Sequence, residues 1–400
     1  MSADTAVLKL RKNEEKRLKA GHLWVYSNEI DTKATPIKTI EPGSRCLLQD
    51  SRGKPLGLGY VNPHSLIAVR LLTRNADATI NTNWIARRLR SALTLRERCF
   101  QQPYYRWIYG DADGLPGLVV DRFGDYAVAQ LNTAGMEALK EQVVAAIVNV
   151  MSPKGLLLRC DSAARAADGL DSYVEVASGE WPETLLLEEN GVKFEVSGSE
   201  GQKTGWFYDH RENRARLMDL VADKSVLDVF SYAGGWGVQC LAGGASSLDC
   251  VDASEAALNW VERNVQLNGF QQPVNTYHGN AFEVLKHLVE EKQRYDVVVI
   301  DPPAFIKRKK DAAKGLQAYL QMNELAMRLL EPDGILVSAS CSMHLSHEAL
   351  MDVIRKAGRH IDRHVSVFAQ GGQGMDHPVH PAIPETRYLK AMFCRVSKSL

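Results

Sequence analysis

Asp228, Asp252, Asn280, Asp301 and Cys341 carry the chemistry this sequence offers, and each falls at or near the end of a short apolar run. Residues 226–230 run into Tyr232-Ala-Gly-Gly-Trp-Gly237, and residues 247–251 run into Asp252. Residues 274–278 lead to Gly279-Asn280, residues 295–300 to Asp301-Pro-Pro-Ala-Phe305, and residues 334–340 to Cys341. Short apolar, β-branched runs bounded by turn residues fit buried parallel strands. Groups at the C-terminal ends of such strands line one edge of one sheet, where α/β proteins bind ligands. That coincidence outweighs any single motif.

The first of these ends reads as a cofactor site. Gly234, Gly235 and Gly237 tolerate positive φ and let backbone approach a ligand closely. The helix-like run that follows, residues 238–242, offers free N–H groups at its start. Asp252, about 20 residues on, suits a ribose diol. The implied ligand contains adenosine. A pyrophosphate site would want G-x-G-x-x-G, and Asp228 would repel it. The same acid suits a cationic, amino-acid-bearing ligand, and S-adenosylmethionine is one. A tight turn in any α/β domain is the plainer alternative.

Other stretches add to the constellation. GQKTGWFYDHRENR (201–214) crowds Lys203, Thr204, Tyr208, Asp209 and Arg211 into a loop suited to closing over a cofactor. Pro302 and Pro303 impose an extended exit from the fourth strand. They present Asp301 beside a flat slot with Phe305, which suits a planar nucleobase. Lys307-Arg-Lys-Lys310 is either solvated surface or a phosphate contact. Cys341, among small polar residues at a strand end and near a helix start, is placed for a reachable, stabilised thiolate. Cys240, Cys250 and Cys394 sit in apolar elements as inert hydrophobes. No metal site is expected: the seven cysteines are scattered and lack C-x-x-C pairs.

These residues need a scaffold, and 400 residues provide for two or three domains. From residue 225 onward strands and helices alternate, implying a mostly parallel sheet covered on both faces. Residues 1–75 alternate short β-like runs with turn signals, which predicts a small barrel. Residues 76–198 read as a linking helix and a central α+β region. In that helix (84–98) the arginines are expected on a solvated face. Asp111-Ala-Asp-Gly-Leu-Pro-Gly117 lacks the later acidic ligand of a calcium loop and is expected to be a turn. Net charge is zero, yet residues 1–75 hold thirteen Lys/Arg against seven Asp/Glu, a local basic surplus suited to RNA. No apolar run reaches membrane-spanning length. The scattered cysteines fit a reducing cytoplasm.

With GHLWVYSNE (21–29) in the first domain, GQKTGWFYDHR, DVFSYAGGWG, DPPAF, SCS and the tail DHPVHPAIPETRYL (376–389), the chain resembles the RlmI family of 23S rRNA 5-methylcytosine methyltransferases. The resemblance implies a PUA RNA-binding domain (1–75), a central α+β domain (76–198) and a Rossmann-like class I methyltransferase domain with a seven-stranded sheet (199–400). It also implies S-adenosylmethionine as cofactor, 23S ribosomal RNA as partner, a cytoplasmic location and, as in related proteins, a homodimer. The cofactor would be held by Lys203, Tyr208, Asp209, Asp228, Phe230, Tyr232, Gly234, Gly235, Asp252, Ala253, Asn280, Ala281 and Asp301. Asn280 departs from the acidic residue that many class I enzymes carry there.

Cytosine C5 is too poor a nucleophile to take a methyl group unaided, and a thiolate adding at C6 makes it enamine-like. Cys341 is the expected thiolate and Asp301 the group that holds the base. His344 is a nearby candidate for removing the C5 proton. Methylation of a guanine nitrogen would need no thiol. A non-enzymatic RNA-binding or ribosome assembly factor would leave Asp252, Asp301 and Cys341 unexplained.

Overall fold

The computed structural model describes residues 5–198 and 204–398, and the chain folds into two compact units. The first comprises residues 1–185, 197–206 and 375–386. In it, β1 (Ala6–Lys9), β2 (Trp24–Tyr26), β3 (Arg45–Gln49), β4 (Pro55–Val61) and β5 (Ile67–Thr73) form a five-stranded sheet in the order β1-β3-β4-β5-β2. Helix α1 (Glu15–Lys19) contributes Leu18 to a core with Leu8, Val25, Leu48 and Val69.

After α2 (Thr82–Cys99), a second sheet runs β10-β9-β8-β7-β6. Its strands are β6 (Tyr104–Tyr109), β7 (Leu118–Phe123), β8 (Tyr126–Leu131), β9 (Gly155–Cys160) and β10 (Tyr173–Gly179). Helices α3 (Ala134–Ala138), α4 (Lys140–Met151) and α5 (Ala163–Ala167) complete this part. Helices α3 and α4 meet at Leu139. The turn expected over 111–117 is present, with Gly114 at φ +70° and Gly117 at +85°. One expectation is corrected: Arg96 is fully buried, not solvated. Its guanidinium donates to both Asp113 carboxylate oxygens, at 2.8 and 2.7 Å, and to the Asp376 carbonyl at 2.9 Å. A buried arginine needs such full pairing.

The second unit comprises residues 186–196, 207–374 and 387–400. Most of the hairpin β11 (Thr184–Glu189) and β12 (Val192–Ser197) belongs to it, and α6 (Arg211–Met218) leads into its main sheet. That sheet contains β13 (Ser225–Val229), β14 (Ser247–Asp252), β15 (Val274–His278), β16 (Tyr295–Ile300), β17 (Leu330–Ser340), β18 (Arg363–Gly371) and β19 (Lys390–Lys398). The order is β15-β14-β13-β16-β17-β19-β18, and β19 alone runs antiparallel to its neighbours. This is the mostly parallel sheet that the alternation of elements implied, with the seven strands and Rossmann-like order that the resemblance implied.

The connecting helices are α7 (Gly237–Ala242), α8 (Glu255–Leu267), α9 (Ala281–Glu290), α10 (Ala312–Arg328) and α11 (His347–His360). Ser254, Asn280 and Ser346 cap the starts of α8, α9 and α11 by accepting from backbone N–H groups. Leu227, Val298, Leu336, Met322 and Ile354 pack into one core. The chain winds outward from β13 in one direction and from β16 in the other, so β13 and β16 flank the switch point where open α/β sheets leave a crevice.

Candidate active site

All the strand-end groups that the sequence singled out belong to the second unit. Asp228 is fully buried on β13, and its Oδ2 accepts from Gly237 N at 2.8 Å. Its Oδ1 finds no hydrogen-bond partner among the described residues. Burial pushes this carboxyl up to about 7, and the nearby carboxylates of Asp301 and Asp252 add to the shift. A carboxyl so placed under a loop gains from a cation above it.

The loop itself is conformationally unusual. Phe230 and Tyr232 adopt φ +67° and +50°, and Gly234 adopts +81°. Non-glycine residues in that region are uncommon and cluster at ligand sites. Asp252 holds the loop: its Oδ2 accepts from Tyr232 N at 2.9 Å and its Oδ1 from Ser254 N at 2.9 Å. Gly235 lies against the Arg214 guanidinium, which is paired with buried Glu189 at 2.7 Å. A Cβ on Gly237 would meet Leu248 at 2.6 Å, so the loop fits tightly to the sheet.

Further along the edge, Asn280 uses its Oδ1 to cap α9 through Phe282 N at 2.9 Å, leaving its amide N–H groups for another partner. Ala281 is buried as the first residue of that helix. Ala253 is exposed, and its carbonyl accepts from His278 Nε2 at 3.1 Å. Phe305 gathers an aromatic cluster, its centroid 6.4 Å from Phe230, 6.0 Å from Phe282 and 4.8 Å from Tyr319.

Asp301 sits just past β16. Its Oδ1 lies 3.2 Å from His210 Nε2, and its Oδ2 accepts from the Trp236 indole at 3.1 Å. Burial would raise this carboxyl, but its interactions with His210 and Trp236 outweigh burial and hold it below its ordinary value. Asn213 Nδ2 donates to His210 Nδ1 at 3.0 Å, which leaves the ring proton on Nε2, facing Asp301. Cys341 is half-buried at the end of β17, its Sγ 4.0 Å from the Pro302 carbonyl. The Tyr319 hydroxyl bonds to Ser340 Oγ at 2.8 Å and to Ser342 Oγ at 2.9 Å, bracing the backbone on either side of the thiol.

The predicted closing loop divides. Tyr208 and Asp209 are buried in the second unit, where Arg211 covers the Tyr208 ring at 5.2 Å and Tyr388 donates to Asp209 at 2.5 Å. Thr204 belongs to the first unit and donates to the Asp121 carboxylate. Lys203 lies outside the described residues. Lys307, Arg308, Lys309 and Lys310 are all exposed.

Sequence reasoning missed His210, Trp236 and Lys390. His210 and Trp236 stood inside loop motifs with nothing to mark them as neighbours of Asp301. Lys390 did leave a signal: it is a lone charge in the apolar run Leu389-Lys-Ala-Met-Phe-Cys394.

A family of S-adenosylmethionine-dependent methyltransferases matches residues 131–362, and a PUA-like domain matches residues 8–74. Relatives named ribosomal RNA large subunit methyltransferase I are similar over almost the whole chain. The one from Aliivibrio fischeri (strain MJ11) is 34% identical, covering 98% of this chain and all of the relative. The one from Klebsiella pneumoniae (strain 342) is 35% identical, covering 97% and 98%. The chain belongs to the ribosomal RNA large subunit methyltransferase I family.

Members of this family are S-adenosylmethionine-dependent, and the site fits that cofactor: an orphaned buried carboxylate oxygen lies under a strained glycine loop, beside an aromatic cluster. The fold agrees as well. A crystal structure of a methyltransferase complexed with SAH superimposes with a TM-score of 0.84 at 20% identity, covering 98% of this chain and all of that one. A SAM-dependent methyltransferase from Streptococcus mutans superimposes with a TM-score of 0.83, also at 20% identity and the same coverage. Among the described residues no helix is long and apolar enough to cross a membrane.

Proposed function

We propose that this protein methylates C5 of a cytosine in 23S ribosomal RNA through a covalent adduct between Cys341 and C6. The observation that carries the reading is the half-buried Cys341 thiol at the end of β17, with its Sγ 4.0 Å from the carbonyl of Pro302, the residue that follows Asp301. Methylation of a ring nitrogen would give that thiol no task. The names of the relatives support an RNA substrate from the large ribosomal subunit.

Bound S-adenosylmethionine would supply an electrophilic methyl group. Asp252 is assigned the ribose, Asp228 and the 201–211 loop the methionine end, and Asn280 with Ala281 the adenine. Phe230, Tyr232, Gly234, Gly235, Ala253, Tyr208 and Asp209 shape the walls, and Lys203 is retained as a ligand to the cofactor. The Cys341 thiolate adds to C6, and Asp301 holds the cytosine edge through N3 and the exocyclic amine. As addition sends charge into the ring, N3 takes up a proton from solvent, which the Asp301 carboxylate holds against N3 and which returns to solvent when the ring is restored. C5, now enamine-like, is nucleophilic toward the methyl group that S-adenosylmethionine would supply, with the thioether S-adenosylhomocysteine as leaving group. Loss of the C5 proton then expels Cys341 as a thiolate and restores the ring.

The three-domain division (1–75, 76–198, 199–400) belongs to this reading, with the first domain holding RNA. So do a homodimeric assembly and a cytoplasmic location.

The test incubates the protein with methyl-labelled S-adenosylmethionine and unmodified 23S rRNA, then identifies the labelled nucleoside by mass spectrometry. Label in 5-methylcytidine, lost in Cys341→Ala, is expected. Label in a methylated guanosine, or full activity of Cys341→Ala, would overturn the thiol mechanism.

A further inference from the structure

We propose that the Lys390 side chain is the counter-cation that keeps Cys341 in its thiolate form. This deepens the preceding proposal and rests on its reading of Cys341 as nucleophile. The sheet register carries the argument. Strand β19 runs antiparallel to β17, and Lys390 pairs directly with Ser340, the residue before Cys341. Lys390 is 3% exposed, and its Nζ donates to the Ser342 carbonyl at 2.7 Å and the Tyr388 carbonyl at 2.8 Å. The amine is thereby held between the backbone just after the thiol, at Ser342, and its own strand, at Tyr388. An ammonium has three N–H donors, and two neutral carbonyls account for two of them.

A lysine buried in this way is costly unless a negative group compensates its charge. Cys341 is the group whose negative charge, once ionised, favours the Lys390 ammonium. Arg387, the other charge acting on it, works in the opposite sense, and burial brings the amine down to about 8. Among the described residues, other groups that face the pair include the Tyr319 hydroxyl from α10 and the His347 imidazole from α11. Burial and the charges of Arg387 and Lys390 hold His347 below its ordinary value, with Glu348 opposing them. None of these supplies a second cation as closely anchored to the thiol.

The chemistry balances without an added reagent. The thiol proton leaves to solvent and Lys390 stays protonated. The sulfur pair forms the bond to C6 and returns to sulfur when that bond breaks, so one ammonium serves both the entering and the leaving thiolate. Lys390 acts through Cys341 and is a positioning residue.

The test uses the full chain without RNA. Alkylation of Cys341 by iodoacetamide is followed at the peptide level, which separates it from the other cysteines, between about pH 5.5 and 9.5. In the unaltered protein the midpoint is expected below the ordinary thiol value of about 8.5. Lys390→Met should raise it by about one unit or more, and should lower kcat at least tenfold with KM for RNA little changed. Lys390→Arg should keep the low midpoint. The proposal is overturned if Lys390→Met, with unchanged circular dichroism and melting temperature, titrates like the unaltered protein. Should that variant not fold, the unaltered protein still decides, since a midpoint at or above the ordinary thiol value also overturns it. Failure of the underlying reading looks different: Cys341→Ala would then methylate RNA at full rate, whatever the alkylation profiles show.

Discussion

His210 Nε2 lies 3.2 Å from Asp301 Oδ1 while the Trp236 indole donates to Oδ2 at 3.1 Å, so both oxygens of the proposed base-holding carboxylate are engaged from within its own unit. Burial raises this group and these two partners lower it further than burial raises it. Removing one partner shifts the balance toward burial. In His210→Ala the acid limb of the pH dependence of kcat/KM should move up by about one unit. Trp236→Phe should move it in the same direction by less. Unchanged acid limbs in both variants would remove Asp301 from the titration that limits activity.

Asp228 titrates in the opposite sense. Its carboxyl keeps a proton up to about 7 in the folded protein, whereas an unfolded chain releases it near pH 4. Between those values the native state binds the extra proton, so its contribution to stability falls as pH rises through the window and is level above it. Asp228→Asn keeps an acceptor for Gly237 N and cannot lose a proton. Its melting temperature should gain on that of the unaltered protein between pH 5 and pH 8, by the equivalent of about 1–4 kcal/mol. Its affinity for S-adenosylmethionine, measured by calorimetry, should drop.

Gly315 in α10 supports the wall of the site. A Cβ there would meet Ile306 Cγ1 at 2.3 Å and the Phe305 carbonyl at 2.9 Å. Gly315→Ala should gain helix propensity and lose more to this collision, for a net cost of about 1–3 kcal/mol in denaturant unfolding. Because Phe305 must shift, cofactor binding should weaken as well. A variant as stable as the original, with unaltered cofactor affinity, would refute this.

The exposed run from Lys307 to Lys310 begins a few residues beyond Asp301. If it binds phosphate, replacing all four residues with glutamine should flatten the plot of log K for RNA against log salt. The slope should fall by about 0.7 for each single-strand phosphate that is no longer neutralised. Filter binding across a series of KCl concentrations gives that slope. An unchanged slope would make the run a solvated face.

The elements that build the sheet were legible because burial on both faces demands nearly continuous apolar runs, as in residues 297–300 and, interrupted only by Asp228, residues 226–229. The glycine loop, Asp252, the Asp301-Pro-Pro turn and the Cys341 strand end could be placed on those runs by local pattern alone. Strand β10 could not: four of its seven residues are exposed, so its Val174 and Val176 did not read as part of a buried run. Arg96 was misjudged because helical spacing shows which face a residue occupies but not that Asp113 and the Asp376 carbonyl wait beneath that face. The partners of Asp301 and Cys341 needed the fold itself. His210, Trp236 and Asp301 come from separate elements, and Lys390 meets Cys341 only through the antiparallel register of β19 on β17.

The pairing of β13 with β16, at the switch point of the sheet, has a kinetic meaning. The residues between them must first form β14, β15 and three helices, so this ladder closes a long loop before it is rewarded. The crevice that takes the cofactor lies at that closure. A half-folded chain therefore has neither wall aligned, and ligand present during refolding acts only on the finished state, drawing it forward by mass action. Capture of S-adenosylmethionine should thus be among the last events as this sheet assembles.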